Sequence, residues 1–462
     1  MKILLIVYDN ESYIHWFPQG LGYIAAALLR QGHTVEVYSQ DLHHYPEEHL
    51  TAYLDNEVFD VVGVGVIAGY FQYRKLLQIS AAINQARRRP HFLIGGHGPS
   101  PEPEYFLRKT GADAAVLGEG EETILELIDA LGDPARLAEV KGIAYRDGDE
   151  VRVNERRRTI KDIDSLPLPA FHLFPIEYYR LLRPPHVRKT DFVMPVLSGR
   201  GCTYRCNFCY RMDKGYRPRS NESIIEEIRL LKRDYRISYV IFSDELLMSS
   251  VKRTVSLCEA MLAADLDIIW DCNGRLNNAD PEVLDLMKRA GCVFINYGIE
   301  AFDDQVLENM RKSLTTEQVI KGVEATLTAG ISPGLNIIFG NIGDNRRTLE
   351  KGVEFLLKYR DLSQMRTIRP VTPYPGSPLY YQAIEKGLLK GCEDFYENKH
   401  TNSDLLAVNF TDLSDQDFHA CLLDANARLI EDYYHQMTQA SVAGAKKLYL
   451  DQDPNFRGFR QQ

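Results

Sequence analysis

The chain has 462 residues, more than one hydrophobic core usually serves, so we expect two or three domains. Hydrophobic residues make up 45% and charged residues 26% of it, which excludes a disordered or fibrous chain. The formal net charge of -10 argues against a nucleic-acid partner, and no apolar run approaches the ~20 residues of a membrane span.

Residues 1–140 are predicted to form a doubly wound, Rossmann-like α/β domain, because apolar strands alternate with amphipathic helices. The N-terminal MKILLIVYDN soon turns polar, so it is predicted to be a strand and not a signal peptide, and we expect a cytoplasmic protein. The predicted strands are KILLIVY, TVEVYS, FDVVGVGVIA, HFLIGGHG and AAVLGEG.

Glycines follow the predicted strand ends of this domain, among them Gly96 and Gly118. Sheets of this kind bind ligands in a crevice at the carboxyl ends of their strands, and glycine lets the backbone approach a ligand closely. We therefore expect Gly96 and Gly118 to belong to a cofactor-binding edge.

Residues 141–189 are predicted to be a hairpin followed by a proline-rich linker, since KGIAYRDGDEVRVNE alternates around a tight turn. Residues 190–390 hold six further strand and helix units, which predict a partial TIM-type barrel with chemistry at the strand ends. Residues 391–462 show helical periodicity and predict a small helical C-terminal region.

Three of the eight cysteines, Cys202, Cys206 and Cys209, form a C-x3-C-x2-C array after the first strand of the second series. Soft thiolate ligands on one short loop favour an iron–sulfur cluster or zinc. Zinc would need a fourth ligand, and no His or Cys follows within thirty residues. Three ligands to a four-iron cluster would leave one iron open. The other five cysteines stand alone and are predicted to be buried small hydrophobes.

The stretch CTYRCNFC, with Phe208 before the last cysteine, resembles the cluster-binding loop of the radical S-adenosylmethionine (radical SAM) superfamily. The resemblance implies that the three cysteines bind a [4Fe-4S] cluster and that SAM chelates its fourth iron. It further implies reductive cleavage of SAM to a 5'-deoxyadenosyl radical, which abstracts hydrogen from a substrate. A flavodoxin or ferredoxin would be the expected reductant.

The same resemblance implies SAM-binding roles for polar residues at successive strand ends. These residues are Asp244 and Glu245 in VIFSDELLM, Arg275 in WDCNGR, Glu300 in NYGIEAFDD and Asn336 in LNIIFGNIGD. No GGE follows the second strand, so the sequence departs here from the familiar pattern. Each residue also has a structural alternative, as a helix cap or a surface ion pair.

A doubly wound domain ahead of such a barrel resembles the cobalamin-binding domain of the B12-type radical SAM group. That group implies a corrinoid over the carboxyl edge of the first sheet. The D-x-H-x-x-G signature that supplies a histidine to cobalt is missing, and neither His15 nor His97 fits it. Whether cobalamin is bound remains open at this point.

Three functions are compared. The first is cobalamin-dependent radical methylation of an unactivated centre in a small-molecule substrate. The second is cobalamin-independent radical dehydration, deoxygenation, epimerisation or cyclisation of a sugar or natural product, with a vestigial B12-like domain. The third is a non-catalytic corrinoid or zinc-binding module. The ordered polar residues at the barrel strand ends favour an enzyme, and the first function is our prediction.

Overall fold

The computed structural model describes residues 1–11, 17–212 and 214–455. Its first sheet has seven strands in the order β2-β1-β3-β4-β5-β6-β7, of which the first five are parallel. Helices cover both faces, so the central strands are continuous apolar runs and not alternating ones. The strands are β1 (Lys2–Val7), β2 (Thr34–Ser39), β3 (Val61–Gly65), β4 (His91–Gly95), β5 (Ala114–Val116), β6 (Ile143–Asp147) and β7 (Glu150–Val153).

The helices of this part begin and end at identifiable signals. One of them starts with Pro103 in its first turn and stops before Gly111, which is left-handed with φ 70°. The helices are α1 (Gln19–Arg30), α2 (Gln40–His43), α3 (Glu47–Asn56), α4 (Tyr70–Gln85), α5 (Pro103–Thr110), α6 (Thr123–Ala130), α7 (Pro134–Leu137) and α8 (Ile176–Tyr179).

The hairpin that we assigned to the linker is part of the first sheet. Strand β6 pairs antiparallel with β5, with Ala114 opposite Tyr145 and Val116 opposite Ile143. The pairing covers an edge of β5 that would otherwise carry unpaired backbone groups. Ile143 and Tyr145 are buried, and this burial explains why the hairpin belongs to the sheet.

The second large sheet is an open half-barrel of six parallel strands in the order β15-β14-β13-β12-β11-β8. A separate antiparallel ribbon, β9 with β10, branches off after the first of these strands. The strands are β8 (Val193–Val196), β9 (Gly199–Cys202), β10 (Gly215–Pro218), β11 (Tyr239–Phe242), β12 (Ile269–Gly274), β13 (Cys292–Glu300), β14 (Ser332–Phe339) and β15 (Arg369–Pro370).

Most helices after these strands start at a side-chain cap, for example Ser220, Asp280 or Thr315. They are α9 (Asn221–Tyr235), α10 (Val251–Ala263), α11 (Pro281–Arg289), α12 (Asp304–Asn309), α13 (Thr316–Thr328), α14 (Arg346–Lys358), α15 (Pro378–Glu385), α16 (Cys392–Asp394) and α17 (Asp415–Tyr449).

The predicted fold class is therefore confirmed: a doubly wound α/β region, a partial barrel and a helical C-terminal region. The buried residues of α17 all lie in its first half, where Phe418 stacks on Phe339 of β14 with ring centroids 4.8 Å apart. Across the described parts of the chain, no helix combines the length and the apolar character that a membrane crossing requires.

Candidate cluster and cofactor site

The three cysteines of the array lie on one loop at the carboxyl end of the half-barrel. Cys202 is the last residue of β9, and Cys206 and Cys209 follow in the loop. Cys206 is buried, whereas the other two thiols are half-buried. Because β9 pairs with β10 and not with the barrel, the ribbon carries this loop away from the strand end of β8.

Asn207 fastens the cysteine loop to the barrel. Its backbone N–H donates to the carbonyl of Met310 at 2.9 Å, and its carbonyl accepts from Leu379 N–H at 2.8 Å. Its side-chain amide exchanges two hydrogen bonds with the amide of Asn341, at 3.3 and 3.2 Å. The loop is thus held by segments that follow β13, β14 and β15.

Two cations lie beside the thiols. Arg275, directly after β12, donates from Nη1 to Cys206 Sγ at 3.9 Å. The hydrogen bond from the Cys209 thiol, together with the charges of Lys312 and Arg275, lowers the pKa of Cys206 to about 6. The same hydrogen bond raises the pKa of Cys209, which keeps its proton, and burial raises the pKa of Cys202. Cys206 is therefore the thiol of this loop that most readily carries negative charge.

Arg275 is buried and held by neighbouring groups. Its guanidinium carbon lies 3.5 Å from the ring centroid of Tyr204, it donates to the backbone carbonyl of Lys312, and only 7% of the residue is exposed. A planar cation fixed in this way can bind a carboxylate through two parallel hydrogen bonds. The alternative of a surface ion pair is wrong, because Arg275 is buried.

Glu300 ends β13 in a left-handed conformation, with φ 70° after an irregularity in the pairing with β14. Non-glycine residues in this region are uncommon and gather at functional sites. Lys312 Nζ donates to Glu300 Oε1 at 2.8 Å and lies 5.8 Å from the ring centroid of Phe208. Phe208 itself packs against a buried apolar cluster that begins at Ala301, the residue after Glu300.

Asp244 and Glu245 have different surroundings although they are adjacent. Asp244 is buried, and its Oδ1 accepts from the backbone N–H groups of Ser198 and Gly199 at 2.8 and 2.7 Å. Burial raises the pKa of Asp244 to about 6, and its Oδ2 meets no donor in the described residues. Glu245 is exposed, and its charge contributes to the raised pKa of Cys202.

Asn336 belongs to a row of three amide side chains on three neighbouring strands, β12, β13 and β14. Asn273 Nδ2 donates to the carbonyl of Asp244 at 2.8 Å, Asn296 Nδ2 donates to Asn273 Oδ1 at 3.0 Å, and Asn336 Nδ2 donates to Asn296 Oδ1 at 2.7 Å. Alternation along the strands places Asn273 on the face of Arg275. The row therefore lies on the same face of the half-barrel as Arg275.

The carboxyl edge of the first sheet faces this loop. The ring of His97, directly after Gly96, meets the ring of Tyr210 edge-on with centroids 6.2 Å apart. Arg200, two residues before Cys202, donates from Nη1 to Glu119 Oε1 at 2.9 Å, and Glu119 directly follows Gly118. His15 lies outside the described residues.

Gly96 and Gly118 both have positive φ, at 100° and 82°. A Cβ at Gly96 would stand 2.5 Å from the carbonyl oxygen of Val66, whereas a Cβ at Gly118 would meet no atom within 4 Å. Gly96 is therefore required by its own backbone contacts. Gly118 borders open space at the edge where a large ligand could lie.

Two features of the site were missing from the sequence prediction. Lys312 lies between α12 and α13 and belongs to no recognisable motif, so the sequence carried no signal for it. Three supposedly isolated cysteines, Cys258, Cys272 and Cys292, are neighbours in the core. All three are buried, as predicted, and each is remote from the cysteine loop in sequence.

The donors of the array and the charges around it suit an iron–sulfur cluster. Within the described ranges, no three His, Cys, Asp or Glu side chains converge on one point as the ligands of a single metal do. The cysteines of a four-iron cluster each bind a different iron, so their sulfurs spread wider. The buried cations Arg275 and Lys312 complement an anionic iron–sulfur group, and the residues present therefore fit it.

Comparison with known proteins agrees with this arrangement. A model described as the radical SAM superfamily matches residues 196–356, and a model of the B12 binding domain matches residues 6–128. The chain is 30% identical over 403 residues to an uncharacterized methyltransferase of Pyrococcus horikoshii, covering 84% of each chain. It is 26% identical over 388 residues to the anaerobic magnesium-protoporphyrin IX monomethyl ester cyclase of Rubrivivax gelatinosus, covering 80% of this chain and 67% of that one.

Two solved structures share the fold. The radical SAM methyltransferase TsrM from Kitasatospora setae, with cobalamin and a [4Fe-4S] cluster bound, superposes with a TM-score of 0.73 at 18% identity, covering 93% of this chain and 88% of that one. The cobalamin-dependent SAM radical enzyme OxsB, with aqua-cobalamin and SAM bound, gives a TM-score of 0.75 at 20% identity, covering 98% and 73%. The chain belongs to the radical SAM superfamily, in the group of enzymes with a B12-binding domain that includes methyltransferases.

Proposed function

We propose that this enzyme transfers a methyl group to an unactivated centre of a small molecule, using a [4Fe-4S] cluster, SAM and cobalamin. The observation that supports it most is that the cysteine loop lies beside the glycine-rich edge of the first sheet. The two are in contact through the rings of Tyr210 and His97. When bound, the cluster supplies the electron that cleaves SAM and the corrinoid supplies the methyl-transfer chemistry. The methyltransferases among the relatives support methylation over the alternatives.

The residues of this chain divide the work of binding. Cys202, Cys206 and Cys209 would hold the cluster, and Arg275 would pair with the SAM carboxylate. Glu300, whose carboxylate Lys312 orients, would accept from the ribose or the amino group of SAM. Asp244 is buried and its Oδ1 accepts from two backbone amides, so we assign it to holding the start of β9.

The substrate is proposed only as a small molecule. The relatives include enzymes named for tetrapyrroles, a cytidylyl phosphonate and hopanoids, so their names do not converge on one substrate class. A flavodoxin or ferredoxin is the proposed electron donor, since such a cluster must be reduced in every cycle.

The test is an anaerobic preparation reconstituted with iron, sulfide and hydroxocobalamin, reduced with a low-potential chemical reductant, and supplied with SAM that carries a CD3 group. We expect retained corrinoid absorption above that of the cluster, loss of the CD3 label from SAM, and accumulation of S-adenosylhomocysteine. Formation of 5'-deoxyadenosine with no S-adenosylhomocysteine and no retained corrinoid would contradict methyl transfer and favour radical chemistry with SAM alone.

A further inference from the structure

Four charged side chains join the ribbon that carries the cysteine loop to the first domain. Arg200 donates to Glu119 Oε1 at 2.9 Å and to Glu121 Oε1 at 2.6 Å. Arg217 donates from Nη1 to Glu119 Oε2 at 2.8 Å. We call Glu119, Glu121, Arg200 and Arg217 the ionic clamp.

The ionic clamp is largely removed from water. The side chains of Arg200 and Arg217 are each 15% exposed, and those of Glu119 and Glu121 are 8% and 6% exposed. Burial by itself would raise the pKa of Glu119, yet the hydrogen bonds from Arg217 and Arg200 hold that pKa below its ordinary value. Charges buried in this way depend on their partners, because removing one leaves another uncompensated.

The ribbon needs these carboxylates. Arg200 and Arg217 stand directly opposite each other in the β9–β10 register, where two like charges repel. A two-stranded ribbon is marginally stable by itself. Glu119 and Glu121 supply the opposite charge, so docking on the first domain stabilises the ribbon.

The two ends of the ionic clamp belong to different functional edges. Cys202, the first residue of the cysteine array, is the last residue of β9 and lies two positions after Arg200. On the other side, Glu119 and Glu121 lie in the segment that leaves β5, directly after Gly118. Both carboxylates accept hydrogen bonds from Arg200, which is two residues from Cys202 in the chain. A shift of either carboxylate would therefore displace the cysteine loop.

Glu121 has one further property. Its Oε2 is buried and meets no donor in the described residues, and its Oε1 accepts a hydrogen bond from Arg200. Glu119, by contrast, also accepts from the backbone N–H of Ile160 at 2.8 Å. Glu119 is thus the fixed point of the ionic clamp, and Glu121 is the second arm that orients the Arg200 guanidinium.

We propose that Glu119 and Glu121 are positioning residues, through which the first domain sets the place of the cysteine loop relative to the edge that would hold the corrinoid. This proposal rests on the proposed function, since it assumes that the loop holds the cluster. Its consequence is that the chemistry of the cluster depends on two residues of the other domain, which touch neither iron nor SAM.

The experiment uses the full-length, anaerobically reconstituted protein with the variants Glu119→Gln and Glu121→Gln. Glu122→Gln is the matched control, because Glu122 is adjacent in sequence and its side chain is 56% exposed. Iron content, the electron paramagnetic resonance spectrum of the reduced cluster with and without SAM, and hydrogen exchange of peptides covering 199–218 are measured. Arg217→Lys keeps the charge but not the two-pronged geometry, so it tests how much of the positioning the charge alone retains.

For both glutamine variants we expect faster hydrogen exchange confined to the ribbon, and a smaller SAM-induced spectral change with about tenfold weaker SAM binding. Arg217→Lys should fall between these variants and the wild type, and Glu122→Gln should match the wild type. If a variant assembles no cluster, exchange confined to the ribbon still supports the proposal. Uniformly faster exchange, or behaviour identical to the wild type, would overturn it.

Failure of the proposed function has a separate signature. If the wild-type protein itself shows no spectral change with SAM, the cluster assignment fails, while hydrogen exchange still decides whether the ionic clamp orders the ribbon.

Discussion

The two parallel sheets of this molecule end in edges of opposite character. The edge of the first sheet shows backbone and glycine, notably Gly96 and Gly118. The edge of the half-barrel shows thiols, cations and carboxylates, each held by further side chains. The first edge suits a large ligand recognised by shape and backbone contact, whereas the second suits small charged groups. One fold principle, ligand binding at the carboxyl ends of strands, therefore serves two kinds of cofactor.

The largest expected effect comes from removing a thiol from the edge of the half-barrel. Replacing any one of Cys202, Cys206 and Cys209 by Ala should reduce bound iron to background and abolish SAM cleavage, because three thiolates are the minimum for the cluster. The far-ultraviolet circular dichroism should stay unchanged. Cys421→Ala, on α17, is the control that should retain iron. A triple variant that still makes 5'-deoxyadenosine would refute the assignment.

The next effect separates cofactor contacts from cluster ligands. Arg275→Ala and Glu300→Ala should each weaken SAM binding by about tenfold or more while iron content is kept, since neither residue provides a thiolate. Equilibrium dialysis with labelled SAM measures the affinity. Arg289→Ala removes an exposed ion pair on α11 and should leave both quantities unchanged. Loss of iron in the Arg275 or Glu300 variant would assign that residue to the fold.

A third prediction contrasts two glycines of the first edge. Gly96→Ala should lower the free energy of unfolding by at least about 3 kcal/mol, because its Cβ would collide with the Val66 carbonyl. Gly118→Leu should cost only about 1 kcal/mol of backbone strain, since open space lies beside it. Its side chain should instead reduce corrinoid retention. Thermal unfolding and visible absorption measure the two effects, and equal destabilisation would contradict the distinction.

The last effect is pH-dependent and concerns how the second edge holds its backbone. Asp344, after β14, accepts from the N–H groups of Gly340 and Asn341 at 3.0 Å, and burial raises its pKa from 3.8 to about 6. Folding therefore takes up a proton between pH 4 and 6, so the native state loses up to about 3 kcal/mol as pH rises through this window.

Asp344→Asn stays neutral and should lose this slope. Urea unfolding between pH 4.5 and 7 should show the variant gaining stability relative to the wild type as pH rises. Parallel stability curves for the two proteins would mean that Asp344 is charged in both states.

Much of the fold could be predicted because its signals are local. Strand β1 and helix α9 follow from short apolar and amphipathic runs, and the cysteine array lies within eight residues. The hairpin β6–β7 was recognised as a hairpin but not as part of the first sheet, since pairing with β5 depends on a free edge that the sequence does not display. The domain boundaries remain predictions.

The surroundings of the site were less predictable because they depend on distant residues. Lys312 reaches Glu300 through a turn with no motif, and Arg200 finds Glu119 from 81 positions away. Strand β9 begins three residues after β8 ends, and SGRGC lacks the apolar alternation that would indicate a separate ribbon. The roles assigned to Arg275 and Glu300 stay predictions that the variants above can test, and the role of Asn336 stays a prediction.

The amide pair Asn207–Asn341 has a consequence for synthesis, because its members are 134 residues apart. At 5 to 20 residues per second, the cysteines leave the ribosome about 7 to 27 s before the segment that anchors their loop. During that interval three neighbouring thiols are without their cover and open to oxidants. Recovery of active protein should therefore depend on the oxygen present while the chain is being translated, and not only on that present during purification.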